Sequence, residues 1–367
     1  MNITNREQEI LEEINNNPQI SQKDLSRKLG ITRSAVAVHI MNLNSKGLIK
    51  GRGYIIGKEP FFCVIGGANI DLHGISSKKI KAHDSNPGTL QTSPGGVARN
   101  IADNITRLGL PCRLITAIGN DLNGDLLLQN CQEIGIDTRY IYRHETLQTS
   151  TYLSIIDNTG EMLFAISDMD IISAITPNYI RSIEKKINQS EIIILDTNLS
   201  LETLKYIFER FSHLPIFVDT VSTSKAVKIE PYLSHIHTLK PNLIEAEAIS
   251  GIKIKKISTL SSMATWFHER GLKRLFITLG EKGIFYSDSL DSGIESMPVI
   301  RNTISNVSGA GDASMAGLVY AWKAQYNIRD SAKKALIASK IALSKNTTIN
   351  SSMSAEYLEK KYNEQYL

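Results

Sequence analysis

The sequence predicts an α/β protein: a mostly parallel sheet covered by helices and carrying a small β lid, preceded by a short, mostly helical module. Three observations predict it. From residue 61 onward, apolar strand-like runs alternate with helical patterns, the signature of βαβ units. Two early stretches break that alternation and read as β-ribbons. Charge is also unevenly spread: residues 1–60 hold nine Lys/Arg against six Asp/Glu, and the other 307 hold 32 against 31. Glu59-Pro60 marks the change, which places a module at 1–58 and a body at 59–367.

The module reads as three capped helices and a hairpin. Thr4 caps a helix from about Asn5 to Asn15, with Ile10, Leu11 and Ile14 on its apolar stripe. Ser21 caps a second, with Leu25 and Leu29 buried and Gly30 as its stop. Thr32 caps a third, with Val36, Ile40 and Leu43 at i, i+4 and i+7. Two short strands then flank Gly51-Arg52-Gly53. The order resembles a winged helix-turn-helix. That resemblance implies a third helix entering the major groove of double-stranded DNA by its N-terminus, where Arg33, Ser34, Ala37 and Val38 lie off the apolar stripe. Arg52 in the wing, with Lys23, Lys28, Lys46 and Lys50, would meet phosphates. A solvated basic face on a protein-interaction module is the competing reading.

In the body, FFCVIGG opens as a buried strand, and CRLITAIG, EIIILDT, PIFVDT, HIHTLKPN and RLFITLG follow. The ribbons carry turns at Asn86-Pro87-Gly88 and Asn158-Thr159-Gly160, and predict lid strands over about 72–93 and 138–168. Such a lid would cover the strand ends, where ligands bind in open α/β sheets. With 42% hydrophobic and 21% charged residues the chain can bury a core, which excludes wholesale disorder. A net charge of +4 is too weak to imply nucleic acid by itself. No apolar run approaches the length of a membrane span, and the polar N-terminus is no signal peptide. Three cysteines without a C-x-x-C point to reducing cytoplasm and no disulfide framework. His213, His235 and His237 lie close in sequence but lack a third ligand on one face, so a structural role is expected.

The motifs with chemical content sit after strands. In Ser308-Gly309-Ala310-Gly311-Asp312-Ala313, small residues let successive N–H groups point into one concavity at a helix start, a nest for an anion such as phosphate. A carboxylate beside a phosphate site makes sense if Asp312 faces an acceptor hydroxyl and takes its proton. Gly95-Gly96 runs into a helix with Asn100 one turn in, and Asn69 and Asp71 follow the first strand, a set suited to sugar hydroxyls. Lys240-Pro241-Asn242 with Glu245, and Thr278 to Gly283, each follow a strand, so these segments fall at one sheet edge. No G-x-x-x-x-G-K-[ST] is present, which excludes a P-loop.

Together these motifs resemble the PfkB, or ribokinase-like, carbohydrate kinases over about residues 61–350. The resemblance implies a three-layer sandwich and ATP-dependent phosphoryl transfer to an alcohol. It implies that Asp312 is the general base and that Gly309, Ala310 and Gly311 form the anion hole. It places Asn69, Asp71, Gly95, Gly96 and Asn100 on the sugar, and Asn242, Thr278, Gly280 and Gly283 on ATP. Glu245 would orient Mg2+ through water. Two departures stand out. Asn306-Val307-Ser308 replaces the family's Asp-Thr before the glycines, which weakens the case for a monovalent cation. Arg99 replaces a small residue, and either reads a base carbonyl of the substrate or projects to solvent.

Val97 to Asn100, Asp157 to Glu161, Asp168-Met169, Asp196 to Leu199 and Val218 to Ser222 with Lys225 look most like the pseudouridine kinases of this family. This implies 5′-phosphorylation of pseudouridine. Another nucleoside or a ribose-like sugar remains open, as does a transcription regulator whose kinase-like body senses such a ligand. Family lid strands often pair between subunits, so a homodimer is expected.

Overall fold

The computed structural model describes residues 3–50, 55–56, 60–256, 259–296, 309–345 and 347–366. The chain divides into two compact units, Met1–Pro60 and Phe61–Leu367.

In the first unit, α1 (Asn5–Asn16), α2 (Gln22–Leu29) and α3 (Arg33–Ser45) precede a hairpin of β1 (Ile49–Lys50) and β2 (Ile55–Ile56). Each helix starts on the cap its sequence offers: Thr4, Ser21 and Thr32 accept from the backbone N–H three residues on. Gly30 ends α2 in the left-handed region at φ 64°, which glycine adopts without steric cost. Ile10, Ile14, Leu25, Val36, Ile40 and Leu43 close one small core. Glu7 completes the capping box of α1 and also accepts from Lys46 Nζ at 2.8 Å, tying α1 to the end of α3. That hydrogen bond, with the one from the Thr4 backbone, holds the Glu7 carboxyl at about 2. Lys46 and Lys28 pair with the carboxylates of Glu7 and Glu13. Arg33, Ser34 and Val38 are exposed on α3 and Ala37 is half-buried, whereas Arg52 lies outside the described residues.

The second unit runs β3 (Phe62–Ile65), β4 (Asn69–Ser76), β5 (Gly88–Gly95), α4 (Val97–Arg107), β6 (Cys112–Ile115), β7 (Ala117–Gly119), α5 (Leu122–Ile134), β8 (Tyr142–His144), β9 (Thr151–Ile156), β10 (Met162–Asp168), α6 (Pro177–Ser182), α7 (Glu184–Ile187) and β11 (Ile192–Asp196). It continues with α8 (Leu201–Arg210), β12 (Ile216–Asp219), α9 (Thr223–Ala226), β13 (Thr238–Lys240), α10 (Leu243–Ser250), α11 (Leu260–Glu269), β14 (Arg274–Thr278), β15 (Ile284–Ser287), β16 (Ser292–Glu295), α12 (Ala310–Lys323), α13 (Ile328–Leu343) and α14 (Ala355–Tyr366).

Eight strands make the main sheet, in the order β16-β15-β14-β13-β12-β11-β3-β6. The six from β14 to β6 are parallel, and β15 and β16 turn back antiparallel. Alternate residues of one strand enter two cores: Phe62 and Val64 pack with α4, α12 and α13, and Cys63 and Ile65 pack with α8, α10 and α11. This explains why these strands read as unbroken apolar runs. Four strands, β10-β9-β4-β5, form the lid sheet.

Two expectations need correction. CRLITAIG is not one strand: it breaks at Thr116, whose carbonyl accepts from Tyr142 N–H as β7 leaves the main sheet to pair with β8. The lid therefore does not begin at 138. Residues 142–144 belong to that separate pair, and Asp121 pins the following loop by accepting from Thr149 N–H and Oγ1 at 2.7 Å each. No helix among the described residues is long and apolar enough to cross a membrane.

Candidate active site

The C-terminal ends of β3, β11, β12, β13 and β14 bring polar groups to one edge of the sheet. At the end of β11, Asp196 is fully buried and accepts from Gly67 N–H (2.8 Å) and Ala98 N–H (3.0 Å). It thereby clamps the loop after β3 to the start of α4. Gly96 makes the approach possible. Its φ is 95°, and a Cβ there would strike Ala68 Cα and the Gly67 carbonyl.

Asn69 and Asp71 lie two apart on β4 and share a face, with Asn69 Nδ2 donating to Asp71 Oδ1 at 2.6 Å. Gly95 stands opposite Asn69 in the β4–β5 register, and a side chain there would enter the Asp71 carboxylate. Burial pushes Asp71 above the usual carboxylate range, against that hydrogen bond from Asn69. These residues, with Gly96 and Asn100, come together as one polar wall. A cavity of about 420 Å³ is lined by Leu147, Met169, Asp170, Ser173, Asn198 and Ser200, and Asn198 and Met169 of that lining are the side chains that a Cβ at Gly67 would meet.

Asp312 lies in the first turn of α12, buried, and accepts from Asn100 Nδ2 at 2.9 Å across the junction with α4. Burial, with the nearby Asp219 charge, pushes its carboxyl up to about 7; the Asn100 hydrogen bond and Lys240 pull the other way. Gly309 caps α12 at φ 80°, where a Cβ would collide with the Thr348 carbonyl. Only glycine lets the helix start there, and the first-turn N–H groups of α12 have no carbonyl within the helix to pair with. Asn306, Val307 and Ser308 lie outside the described residues.

Beyond Asp312 the wall continues through Lys240, at the end of β13. Its Nζ lies 2.9 Å from Asp219 Oδ2, at the end of β12. Burial opposes the lysine charge, but Asp219, Asp312 and Glu245 outweigh it and hold its pKa above the ordinary value. Asn242 and Glu245 cap α10 reciprocally: Asn242 Oδ1 accepts from Glu245 N–H and Glu245 Oε2 accepts from Asn242 N–H, both at 2.9 Å. Thr220 Oγ1 donates to the same Glu245 oxygen at 2.5 Å. Asn242 bridges to Thr278, and Gly280 to Gly283 form a tight turn beside them. Val221 stands at φ 58°, a rare conformation for a β-branched residue, with its N–H on Asp219 Oδ1 at 3.1 Å.

One expected residue does not join this wall. Arg99 neither reaches a substrate position nor projects to solvent. It is 3% exposed and donates to Asp103 Oδ2 (2.6 Å), Asn130 Oδ1 (2.5 Å) and Asn100 Oδ1 (3.0 Å). The i, i+4 carboxylate Asp103 takes it into the helix interface. The sequence marked Lys240 within a motif, and Asp196, Asp219 and Thr220 within the family resemblance, but gave none of them an individual role. Their signal is a polar residue ending a buried apolar strand. Of the three histidines, His237 stacks on Phe217 with ring centroids 5.4 Å apart, and burial lowers its pKa to about 4.

Residues 60–355 match the model of the pfkB family carbohydrate kinases. The chain belongs to that family. This kinase is a phosphotransferase acting on a sugar or nucleoside hydroxyl. It is 42% identical to the pseudouridine kinase of Escherichia coli strain K12 over 299 residues, 81% of this chain and 95% of that one. It is 35% identical to an uncharacterized sugar kinase of the same bacterium, YeiI, over 354 residues, 96% and 98% of the two chains. A carbohydrate kinase from Agrobacterium tumefaciens superposes with a TM-score of 0.74 at 26% identity, covering 83% of this chain and 97% of that one. Residues 3–50 of the kinase match a winged helix-turn-helix DNA-binding model.

Proposed function

We propose that this kinase transfers the γ-phosphoryl of MgATP to the 5′-hydroxyl of pseudouridine, and that its N-terminal module binds double-stranded DNA. One observation carries the first part: Asp312 stands at the open N-terminal turn of α12 while hydrogen-bonded to Asn100 of the Asn69–Asp71–Gly95–Gly96 wall. A base and an anion nest thus meet at one point beside this wall, where the acceptor hydroxyl would bind. Asp312 takes the hydroxyl proton, and the N–H groups of Gly309, Ala310 and Gly311 steady the phosphoryl in flight. Asn242, Thr278, Gly280 and Gly283 hold ATP. Glu245 suits Mg2+ held through water, because it offers a buried, hydrogen-bonded carboxylate among hard oxygen donors, and Mg2+ keeps several of its waters. The Mg2+ neutralises phosphate charge when bound. Similarity to the E. coli pseudouridine kinase supports pseudouridine over other nucleosides.

Assaying ADP release with pseudouridine, uridine and ribose tests this reading. Pseudouridine is expected to give the highest kcat/KM. Faster turnover of another acceptor would replace the substrate, and tight binding without turnover of any would favour a ligand-sensing regulator.

For DNA, Arg33, Ser34, Ala37 and Val38 would face bases, with Arg52 on the backbone. Binding is expected to weaken with salt, log K falling against log[salt] by about 0.9 per phosphate contacted. Binding that ignores salt, or survives deletion of residues 1–57, would contradict it.

The kinase is also proposed to pair through its lid. Edge strand β10 is exposed along its whole length, with Phe164 at 68% and Ile166 at 66%, an apolar edge that monomers rarely leave open. Sedimentation should give twice the chain mass, and Phe164→Glu should halve it. A monomeric wild-type protein would refute the pairing.

A further inference from the structure

We propose that Arg99 is a positioning residue that fixes the Asn100 amide with its nitrogen toward Asp312 and its oxygen away. The proposal rests on the reading of Asp312 as the base. An asparagine side chain has a donor end and an acceptor end of nearly equal shape, so sterics alone do not choose between its two orientations. Here the choice is made by a cation. Arg99 Nη1 donates to Asn100 Oδ1 at 3.0 Å, and Asn100 Nδ2 donates to Asp312 Oδ2 at 2.9 Å. The guanidinium is itself fixed. Its Nη2 donates to Asp103 Oδ2 and Asn130 Oδ1, and Arg107 Nε holds the other oxygen of Asp103 at 2.5 Å. A relay Asp103–Arg99–Asn100–Asp312 thus runs from the α4–α5 interface to the reacting carboxylate.

The orientation matters for chemistry. A flipped amide would set its oxygen against the Asp312 carboxylate, which is tolerable only if Asp312 carries a proton. A protonated Asp312 cannot accept one from the hydroxyl. Arg99 therefore favours the form of the site in which the base is ready. The groups facing Asp312 are Asn100 of α4, Asp196 of β11, Asp219 of β12 and Lys240 of β13. Those facing Arg99 are Asp103 of α4, Asn130 and Cys131 of α5, and Asp71 of β4. None of these but Asn100 links the two.

The test compares the pH dependence of kcat/KM for wild type, Arg99→Met and Arg99→Lys, with Asp312→Asn as reference. Losing a hydrogen bond to the charged form should move the acid limb of Arg99→Met upward by about one pH unit. Its activity at pH 7 should fall about fivefold and recover at higher pH, with KM for ATP unchanged. Arg99→Lys keeps a charge beside Asp103 and should fold even if Arg99→Met does not; its limb should lie between the two. A limb that stays in place in the folded variants, or activity depressed equally at every pH, would overturn the proposal and leave the base reading intact. Full turnover in Asp312→Asn would instead remove the base reading, and this proposal with it.

Discussion

Replacing Asp312 with Asn should lower kcat by about 10²–10⁴, the usual worth of a positioned general base, and leave KM for ATP unchanged. The substitution is nearly isosteric, and the new amide oxygen can still accept from Asn100 Nδ2, so the loss reports chemistry. Wild-type kcat/KM should rise with pH through about 7, because burial beside Asp219 keeps the carboxyl protonated up to there. The same shift has the opposite consequence for stability. The folded protein holds a proton that an exposed aspartate, with a pKa of 3.8, has already released, so the folded state binds more protons between 3.8 and about 7. Stability attributable to Asp312 therefore falls as pH rises through that window. Asp312→Asn should accordingly melt at a higher temperature than wild type above pH 7, and the difference should vanish below about pH 4. A variant that is dead and also less stable at alkaline pH would show that Asp312 is a structural carboxylate. One that turns over normally would show that the proton leaves by another route.

How much of this was legible in the sequence follows from how local each signal is. The helix starts of the module were readable because Thr4, Ser21 and Thr32 cap their own helices within three residues. The buried strands were readable because both their faces lie in cores, which leaves apolar runs such as Ile192 to Leu195. The break at Thr116 was not, since it depends on a carbonyl meeting Tyr142, far along the chain. Within the site, glycine positions were visible because their backbone needs are local. The destination of Arg99 had a local clue in Asp103, one helical turn on, which pairs with it at 2.6 Å. The Asp219–Lys240 pair had none. Those residues are 21 positions apart in sequence and meet only because β12 and β13 lie side by side with Asp219 opposite Lys240.

That pair yields the largest stability effect expected of a single side chain. Lys240 and Asp219 are each nearly buried, at 5% and 6% exposure. Removing one member of a buried pair leaves an uncompensated charge, which costs about 3–5 kcal/mol. Lys240→Met should therefore destabilise the kinase by about that amount in urea unfolding at pH 8. The stranded Asp219 carboxylate would also act on Asp312, whose own pKa Lys240 now pulls down. The acid limb of kcat/KM should move to higher pH in whatever fraction remains folded. Shape is not the cause, since Met fills much of the lysine stem, and a second substitution separates the two. Asp219→Asn removes the charge but keeps an oxygen for Val221 N–H, whose strained backbone depends on it. The double variant Lys240→Met with Asp219→Asn should recover most of the lost stability, while the acid limb should fall back toward or below its wild-type position, because one carboxylate fewer then faces Asp312. Equal destabilisation of the single and double variants would mean that the ammonium is held for packing, and that the charge balance of this sheet edge does not set the state of Asp312.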